Sequence, residues 1–418
     1  MRYTVLGFLC AATVIGYLQR LALSAPTKII EGELGLGPAG MGTVMATWYW
    51  GYALMQLPSG WVADRLGSKP ALILFAVAWS SLTALTGFAT GFTGLLLLWG
   101  LMGCAQAGLF PCATKAVGAT FPRTQQAFAS GGLAACMALG AAVAQWLTPQ
   151  LLAGLGWREI LMVYAIPGLV WALAFAFIVP SPDAPIRTIK VEPEGVAEDG
   201  AAVPPTPAAP QWSKLVTDGQ MQLLCAQQFL RAAAVAFFYT WFPRFLKETR
   251  NLTDQEAGEL AFWPPLVGMF GGFLGGVFSE WILRRTGNAR LARQGMAVAA
   301  MTICATVALT SYFVEDTTIA VVLLCVGAFC GMAGGVSGYA VAIAYGGKRV
   351  AIVFATMNMS GNVGAGLFPF VVGWLVAFTG DWNLALLLFA TLFAADAVCW
   401  TFLNPKGTLF NDVVDVEV

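Results

Sequence analysis

The sequence contains no histidine and very little charge. Its 418 residues include 22 Lys and Arg against 22 Asp and Glu, so that charged residues make up only 11% of the chain, whereas about 25% is usual in soluble domains. The absence of histidine removes the commonest general base, metal ligand and neutral-pH proton carrier. No nucleophile motif or cluster of metal ligands takes its place, so the sequence argues against an enzyme and predicts no cofactor and no metal site.

Most residues of the sequence are apolar. The hydrophobic share is 58% and the mean hydropathy is +0.73, which predicts a protein whose main partner is the lipid bilayer, with no nucleic-acid partner. The nine cysteines all fall inside apolar runs. We interpret them as small buried residues and not as a disulfide framework.

Twelve apolar runs are long enough to cross a membrane, which takes about 20 residues per helix. They predict an all-α integral membrane protein with twelve transmembrane helices in two six-helix bundles. The runs lie at residues 4–24, 40–63, 70–89, 92–115, 127–150, 158–179, 218–243, 257–283, 291–313, 317–344, 350–378 and 383–403.

A stretch rich in Pro, Ala and Glu separates the sixth run from the seventh. Such a composition cannot bury enough apolar surface to order itself. We therefore predict an N-terminal bundle at 1–180, a flexible linker at 181–214, a C-terminal bundle at 215–405 and an acidic tail at 406–418. We expect the protein to be a monomer.

The positions of Lys and Arg predict the orientation in the membrane. If the N-terminus is cytoplasmic, fifteen of the 22 basic residues fall on the cytoplasmic side and five on the other side. Cytoplasmic loops carry the excess of Lys and Arg in membrane proteins. The sequence thus predicts that both termini are cytoplasmic, and that the protein lies in an inner or plasma membrane.

A charged turn occurs twice, at corresponding places in the two halves. Residues 60–69 read Gly-Trp-Val-Ala-Asp-Arg-Leu-Gly-Ser-Lys between the second and third runs, and residues 276–287 follow a similar pattern between the eighth and ninth. An internal repeat of this kind is typical of transporter folds. The residues that carry the two motifs are Gly60, Asp64, Arg65, Gly67, Lys69, Glu280, Arg284 and Arg285.

With twelve helices, the repeat, the central loop and this turn, the chain resembles the major facilitator superfamily over its whole length. The resemblance implies that Asp64 pairs across the cytoplasmic face and steadies an outward-open state. A narrower similarity links Tyr17, Arg20 and Ser24 to the Tyr-x-Asp-Arg-x-x-x-Ser start of the anion:cation symporter family, which carries hexuronates, galactonate, sialic acid, phosphate and glutamate. Further matches are Tyr52 with residues 56–60, residues 103–111, Phe121 with Pro122, and residues 358–369.

Two arginines, Arg20 and Arg231, lie well inside apolar runs, on helices that the repeat makes equivalent. A charge near the bilayer centre costs at least ~2.5–3.5 kcal/mol, so it indicates a binding role. Guanidinium groups from two halves could grip a carboxylate or phosphate, although a structural role remains open for each. Neighbours by helical spacing are Tyr17, Tyr52, Gln56, Asn358 and Asn362, which could recognise the hydroxyls of a sugar acid.

The departures from the family pattern are informative. Gln19 stands where the first helix of the family has Asp, and Trp99 and Gln106 stand where the fourth helix usually has Arg and Glu. In proton-coupled relatives the two acids carry the proton, and glutamine resembles an acid fixed in its neutral form. We therefore hypothesise transport without obligatory proton coupling, as a uniporter or an exchanger.

Asp396 is a carboxyl deep in the last run. It could be a displaced proton site, although a structural hydrogen bond or salt bridge is the simpler expectation for a helix at the edge of this fold.

Our main prediction is a secondary transporter of a small organic anion that works by alternating access. The alternatives are a carrier of a neutral or amphipathic solute with Trp99 in an apolar cavity, a proton-coupled anion symporter that uses Asp396, and a membrane sensor that binds without transport. Trp48, Tyr49 and Trp50 are expected to be packing or membrane-interface aromatics.

Overall fold

The fold is described for residues 2–179, 212–347, 350–407 and 409 of a computed structural model. Within these ranges the chain forms helices and no strand. Each of the twelve predicted runs coincides with a helix or with two consecutive helical segments, so the all-α, twelve-helix prediction is confirmed. Ten spans are long and apolar enough by composition to cross a membrane.

The first half contains eight helices. Their bounds are α1 (Arg2–Arg20), α2 (Thr27–Leu34), α3 (Pro38–Leu66), α4 (Ser68–Thr86), α5 (Phe92–Gln106), α6 (Leu109–Thr120), α7 (Arg123–Leu152) and α8 (Trp157–Ile178).

The second half follows the same plan. Its bounds are α9 (Trp212–Thr217), α10 (Gly219–Thr240), α11 (Phe242–Arg250), α12 (Asp254–Thr286), a π-helical turn (Arg290–Gly295), α13 (Met296–Phe313), α14 (Thr317–Gly346), α15 (Val350–Thr379) and α16 (Asn383–Phe402).

Besides α9, the structure adds two short helices, α2 and α11, that the apolar runs did not predict. The first run ends as a helix at Arg20, four residues earlier than expected, and α2 follows after a turn and stops at Gly35, whose φ of 65° suits glycine. In the second half α11 begins with Pro243 in its first turn. Both helices are short and rich in charge, so hydropathy alone does not detect them.

The fourth predicted run is interrupted. It divides into α5 and α6 at Ala107 and Gly108, and the Ser59 hydroxyl donates a hydrogen bond of 3.1 Å to the Ala107 carbonyl. A backbone carbonyl at membrane depth needs such a partner. The break places Gln106 at the end of α5.

The predicted linker at 181–214 lies outside the described residues except for its last three positions. These three, 212–214, open helix α9, and the linker itself stays a prediction. Of the predicted tail at 406–418, the structure describes 406, 407 and 409.

The two halves meet along two pairs of helices, α3 with α15 and α7 with α12. Glycines allow their backbones to cross closely at one end of the bundle. A Cβ on Gly42 would lie 2.3 Å from the Pro369 carbonyl oxygen, and one on Gly373 would lie 2.4 Å from that of Pro38. We call this the closed end; it is the end at which α1 finishes and α3 begins. Small residues are the usual means of close helix contact in membranes.

Ion pairs between α2 and α11 strengthen the closed end. Arg244 pairs with Glu31 of the first half at 2.9 Å, with both side chains less than 10% exposed, and also with Glu248 at 3.1 Å. Lys28 pairs with Glu248 at 3.1 Å. We call these four residues the Arg244 cluster. Among the described residues, the side-chain hydrogen bonds and ion pairs that join the halves gather at this end.

The two carboxyls of the Arg244 cluster differ in their pKa. Burial raises the pKa of Glu31 even though Arg244 acts to lower it. Burial acts in the same direction on Glu248, but Lys28 and Arg244 together lower its pKa. On acidification Glu31 therefore takes up a proton first, and Glu248 stays ionised and paired to lower pH.

We predict that Arg244→Ala loosens the closed end. The change leaves the buried Glu31 without its cationic partner, and loss of one member of a buried pair costs ~3–5 kcal/mol. Hydrogen–deuterium exchange followed by mass spectrometry should show at least about tenfold faster exchange in both α2 and α11, since ~1.4 kcal/mol corresponds to a factor of ten.

The matched control is Arg158→Ala. Arg158 pairs with Glu33 at 2.9 Å, and both residues belong to the first half. Its removal should speed exchange near α2 but leave α11 unchanged. If α11 responded equally to both variants, or to neither, the Arg244 cluster would not hold the halves together.

Candidate functional site

Arg20 lies at the end of α1 inside a group of aromatic rings. Its guanidinium carbon is 3.8 Å from the centroid of the Trp48 ring, 4.7 Å from that of Tyr49 and 5.1 Å from that of Tyr17. It donates a hydrogen bond of 3.2 Å to the Tyr17 hydroxyl, while its Nε has no hydrogen-bond partner. Cation–π contacts thus replace a carboxylate around this charge.

Arg231 occupies the corresponding helix of the second half, at the middle of α10. It is 5% exposed, donates a hydrogen bond of 2.7 Å to Gln228 Oε1, and lies 5.9 Å from the Tyr339 ring centroid. Its Nε also lacks a partner. Among the described residues neither Arg20 nor Arg231 forms an ion pair with an acid.

Tyrosines connect the two arginines across the space between the halves. The Tyr17 and Tyr239 rings approach edge to face at 6.5 Å between centroids. The Tyr239 hydroxyl lies within electrostatic range of the guanidinium groups of both Arg20 and Arg231. Two cations and several hydroxyls therefore face one region, a combination that suits an anion.

A small cavity continues from Arg20 toward the closed end. Its volume is about 20 Å³, which is room for about one water molecule. Trp99, 2% exposed, forms part of its wall. The residues that line it include Arg20, Ser24, Trp48, Tyr49, Trp99 and Tyr239.

Tyr52 and Gln56 stand one turn apart on α3, as predicted. Tyr52 stacks on Trp48 with 5.1 Å between ring centroids and lies within electrostatic range of Arg20, so it belongs to the same group of rings. The Gln56 side-chain oxygen is buried and has no hydrogen-bond partner.

The predicted asparagine pair on α15 is arranged differently from Tyr52 and Gln56. The Asn362 side chain donates a hydrogen bond of 2.9 Å to the Asn358 backbone carbonyl, and both residues are half-buried. In the part of the chain that the structure describes, neither asparagine side chain forms a hydrogen bond with Arg20 or Arg231.

Gln19 and Gln106 use their amides as hydrogen-bond donors. Gln19 donates to the Tyr164 carbonyl at 2.7 Å and to Ser80 at 3.3 Å, and Gln106 donates to the Gly16 carbonyl at 2.8 Å. An ionised carboxylate can only accept hydrogen bonds. Both positions therefore suit an amide or a protonated acid and would oppose a charged one.

Asp396 lies on α16 and is fully buried. The expected hydrogen bond or salt bridge is missing, since neither carboxyl oxygen has a partner among the described residues. Asp396 lies within electrostatic range of Arg231 on α10, of Cys304 on α13 and of Cys399 on its own helix.

The charged turns make their contacts inside each half. Asp64 pairs with Lys115 at 3.0 Å, Lys69 donates to the Ala176 carbonyl at 2.7 Å, and Glu280 pairs with Arg293. Arg65 and Arg285 lie over the rings of Trp61 and Trp281. The cross-face pairing that the resemblance implied for Asp64 is not formed in this conformation. A Cβ on Gly60 would meet no atom within 4 Å, and Gly67 closes α3 with a φ of 86°.

Sequence reasoning missed several residues of this region. Trp48 and Tyr49 are packed, as expected, but they also stack on Arg20. Gln228 stands three residues before Arg231, the same spacing that separates Tyr17 from Arg20, so the repeat itself was a usable signal. Gln145 had no such signal: it accepts from Ser24 at 3.2 Å and donates to the Phe238 carbonyl of the other half at 3.0 Å.

Comparisons with known proteins agree with the fold. The family described as Major Facilitator Superfamily matches residues 5–343. A probable sulfoacetate transporter of Cupriavidus necator is 30% identical over 410 residues, 98% of this chain and 95% of its own length. A probable galactarate/D-glucarate transporter of Escherichia coli is 30% identical over 92% of this chain and 89% of its own length. A hexuronate transporter of Bacillus subtilis is 29% identical over 96% and 94%.

Solved structures share the architecture. A bacterial homologue of the human lysosomal transporter Spinster, in an inward-facing and occupied conformation, superimposes with a TM-score of 0.78 and 18% identity over 96% of both chains. The nucleoside transporter NupG superimposes with a TM-score of 0.71 and 15% identity, over 96% of this chain and 99% of its own.

The relatives are carriers of organic anions, and the chain that resembles them is a multi-pass membrane protein. It belongs to the Major Facilitator Superfamily, in the group of anion:cation symporters.

Proposed function

We propose that the protein carries a small organic anion, a sugar acid or another carboxylate, between Arg20 and Arg231 by alternating access. The observation that carries the proposal is a pair of guanidinium groups, one from each half, that form no ion pair with an acid of the described chain and whose Nε atoms have no hydrogen-bond partner. An uncompensated charge at this depth is costly unless a ligand completes it. A substrate that touches both halves also has a means to move them.

The charge count favours a dianion. Two unpaired guanidinium groups are best neutralised by a substrate with an acidic group at each end. Sulfoacetate, galactarate and D-glucarate, which the names of the relatives mention, have this form. Hexuronate and galactonate carry one carboxylate and would leave one arginine without a partner.

The orientation follows from the distribution of Lys and Arg. With both termini cytoplasmic, the closed end faces outward and the site opens toward the cytoplasm. The charged turns at 60–69 and 276–287 then lie on the cytoplasmic face. Their within-half pairs are consistent with a cytoplasmic side that is not latched in this state.

We predict that Arg20→Gln and Arg231→Gln each reduce anion uptake into proteoliposomes. Each removes charge-assisted hydrogen bonds worth ~1.5–3 kcal/mol, so KM should rise by about ten- to a hundredfold. The panel should contain sulfoacetate, galactarate, galactonate, hexuronate and a neutral sugar. Dianions should be preferred by the natural chain, and the preference should shrink in both variants.

Arg250→Gln is the matched control for this experiment. Arg250 lies outside the site and donates to the carbonyls of Val314 and Glu315 at 2.6 Å. If both site variants transported like this control, the carrier of a neutral solute would replace our proposal. Binding without any flux in the natural chain would instead support a sensor.

We also propose that uptake does not require a proton gradient, because Gln19 and Gln106 cannot titrate. We predict that Gln106→Glu makes uptake depend on pH. At neutral pH the new carboxylate would face the Gly16 carbonyl and repel it, so uptake should rise several-fold on acidification as the acid becomes a donor.

Gln222→Glu serves as the control for Gln106→Glu. The Gln222 amide also donates to a backbone carbonyl, that of Val216 at 2.7 Å, but at an exposed position. Its uptake should follow the natural pH profile. A strong pH response in the natural chain and in all variants would contradict the uncoupled mechanism.

One second candidate, a proton-coupled symporter, is favoured because the Asp396 carboxyl has no hydrogen-bond partner among the described residues. In that case an imposed pH gradient would drive uptake in the natural chain. Asp396→Asn would abolish the gradient-driven component and leave exchange of labelled for unlabelled anion intact. Under our proposal the variant retains uptake with and without the gradient.

A further inference from the structure

Three polar side chains of α10 lie directly against glycines of neighbouring helices. Arg231 faces Gly335 of α14, and Gln228 faces Gly361 of α15. Gln227 faces Gly338 in the same way, at 3.0 Å from the position of a Cβ. None of these three glycines has a positive φ. They are therefore required for space and not for an unusual backbone conformation.

The fit at Gly335 is tight. A Cβ there would lie 2.7 Å from Nη1, 2.8 Å from Cζ and 2.9 Å from Nε of Arg231. The guanidinium group thus rests on the backbone of α14, while Gln228 accepts a hydrogen bond from its Nη2 at 2.7 Å. At Gly361 a Cβ would lie 2.9 Å from Cγ and 3.0 Å from Nε2 of that glutamine.

These contacts differ from ordinary packing glycines in the same bundle. A Cβ on Gly364 would lie 2.4 Å from the Phe229 carbonyl oxygen, and one on Gly271 would lie 2.2 Å from that of Phe329. There a methyl group would push two backbones apart. At Gly335 a methyl group would meet the end of the flexible Arg231 side chain. It would therefore displace the guanidinium group and not the two helices.

We propose that Gly335 and Gly361 are positioning residues of the anion site, which hold the Arg231–Gln228 pair in its binding orientation. The inference rests on the proposed role of Arg231 in substrate binding. Gly335 supports the guanidinium from α14, and Gly361 supports the glutamine that holds it from α15. Because bidentate recognition depends on the orientation of the planar fork, a small displacement should weaken anion binding.

The test is anion uptake by Gly335→Ala, with dianionic sulfoacetate as the labelled probe. KM should rise about tenfold, as expected when a charge-assisted hydrogen bond is lost, with a much smaller change in maximal rate. Gly334→Ala is the matched control, since its Cβ would lie 2.7 Å from the flexible end of Met301 instead. That variant should keep the natural KM.

A double-mutant cycle separates positioning from packing. In an Arg231→Gln background, Gly335→Ala should cause no further rise in KM, because the group that it displaces is gone. An equal rise in both backgrounds would overturn the positioning role. If Arg231→Gln alone left KM unchanged, both the proposed site and this inference would be wrong. If Arg231→Gln raised KM but Gly335→Ala raised it equally in both backgrounds, only this inference would be wrong, so the two failures are distinguishable.

Folding is checked by the yield and melting temperature of each variant in detergent. If Gly335→Ala does not fold, Gly361→Ala carries the same test through Gln228, with Gly364→Ala as its packing control. A rise in KM for Gly361→Ala that disappears in the Arg231→Gln background supports the proposal. An unchanged KM, or a rise that persists in that background, overturns it.

Discussion

The architecture depends on two guanidinium groups held inside an apolar bundle without an acidic partner. Arg20 and Arg231 would be expensive to bury in this way unless their surroundings or a ligand offset the cost. The residues that contact them supply rings, hydroxyls and an amide, and none of the described acids forms an ion pair with either one. Such an environment holds the two guanidinium groups in place without neutralising their charge. The site is thus a positive region in a chain whose formal net charge is zero.

The two halves solve this problem differently although the repeat relates them. Arg20 is stacked on Trp48 and surrounded by tyrosines, so its position is fixed by broad ring faces. Arg231 lies against Gly335 and is held by Gln228, so its position is fixed by the backbone of a neighbouring helix. The two guanidinium groups therefore lie in different surroundings, aromatic rings around Arg20 and the backbone of α14 beside Arg231. An asymmetric substrate could therefore distinguish the two ends of the site.

Much of the fold was predictable because hydropathy reports directly on membrane depth. All twelve runs became helices, and the repeat placed Arg20 and Arg231 on equivalent ones. Prediction failed where tertiary contacts decide. The short helices α2 and α11 carry too much charge to be detected by hydropathy, yet they bear the ion pair between Glu31 and Arg244. The contact between Trp48 and Arg20 could not be predicted from sequence spacing, since the two residues lie on different helices. Likewise, nothing in a sequence shows that a glycine faces a guanidinium group.

The contacts at the closed end and the two glutamines bear on the same question, namely what drives the change of access. The family resemblance implies proton-carrying acids at the positions of Gln19 and Gln106. In this chain both side chains are amides that donate to backbone carbonyls, which ties α1 to α8 and α5 to α1. These bonds persist at every pH, so they cannot report protonation to the rest of the first half. Under the proposed mechanism, the change of access is then left to the substrate. If the anion neutralises Arg20 and Arg231 together, its binding energy is available to close one end and release the Arg244 cluster at the other. In the proposed transport without obligatory proton coupling, the anion gradient supplies the driving force, as in a uniporter or an exchanger.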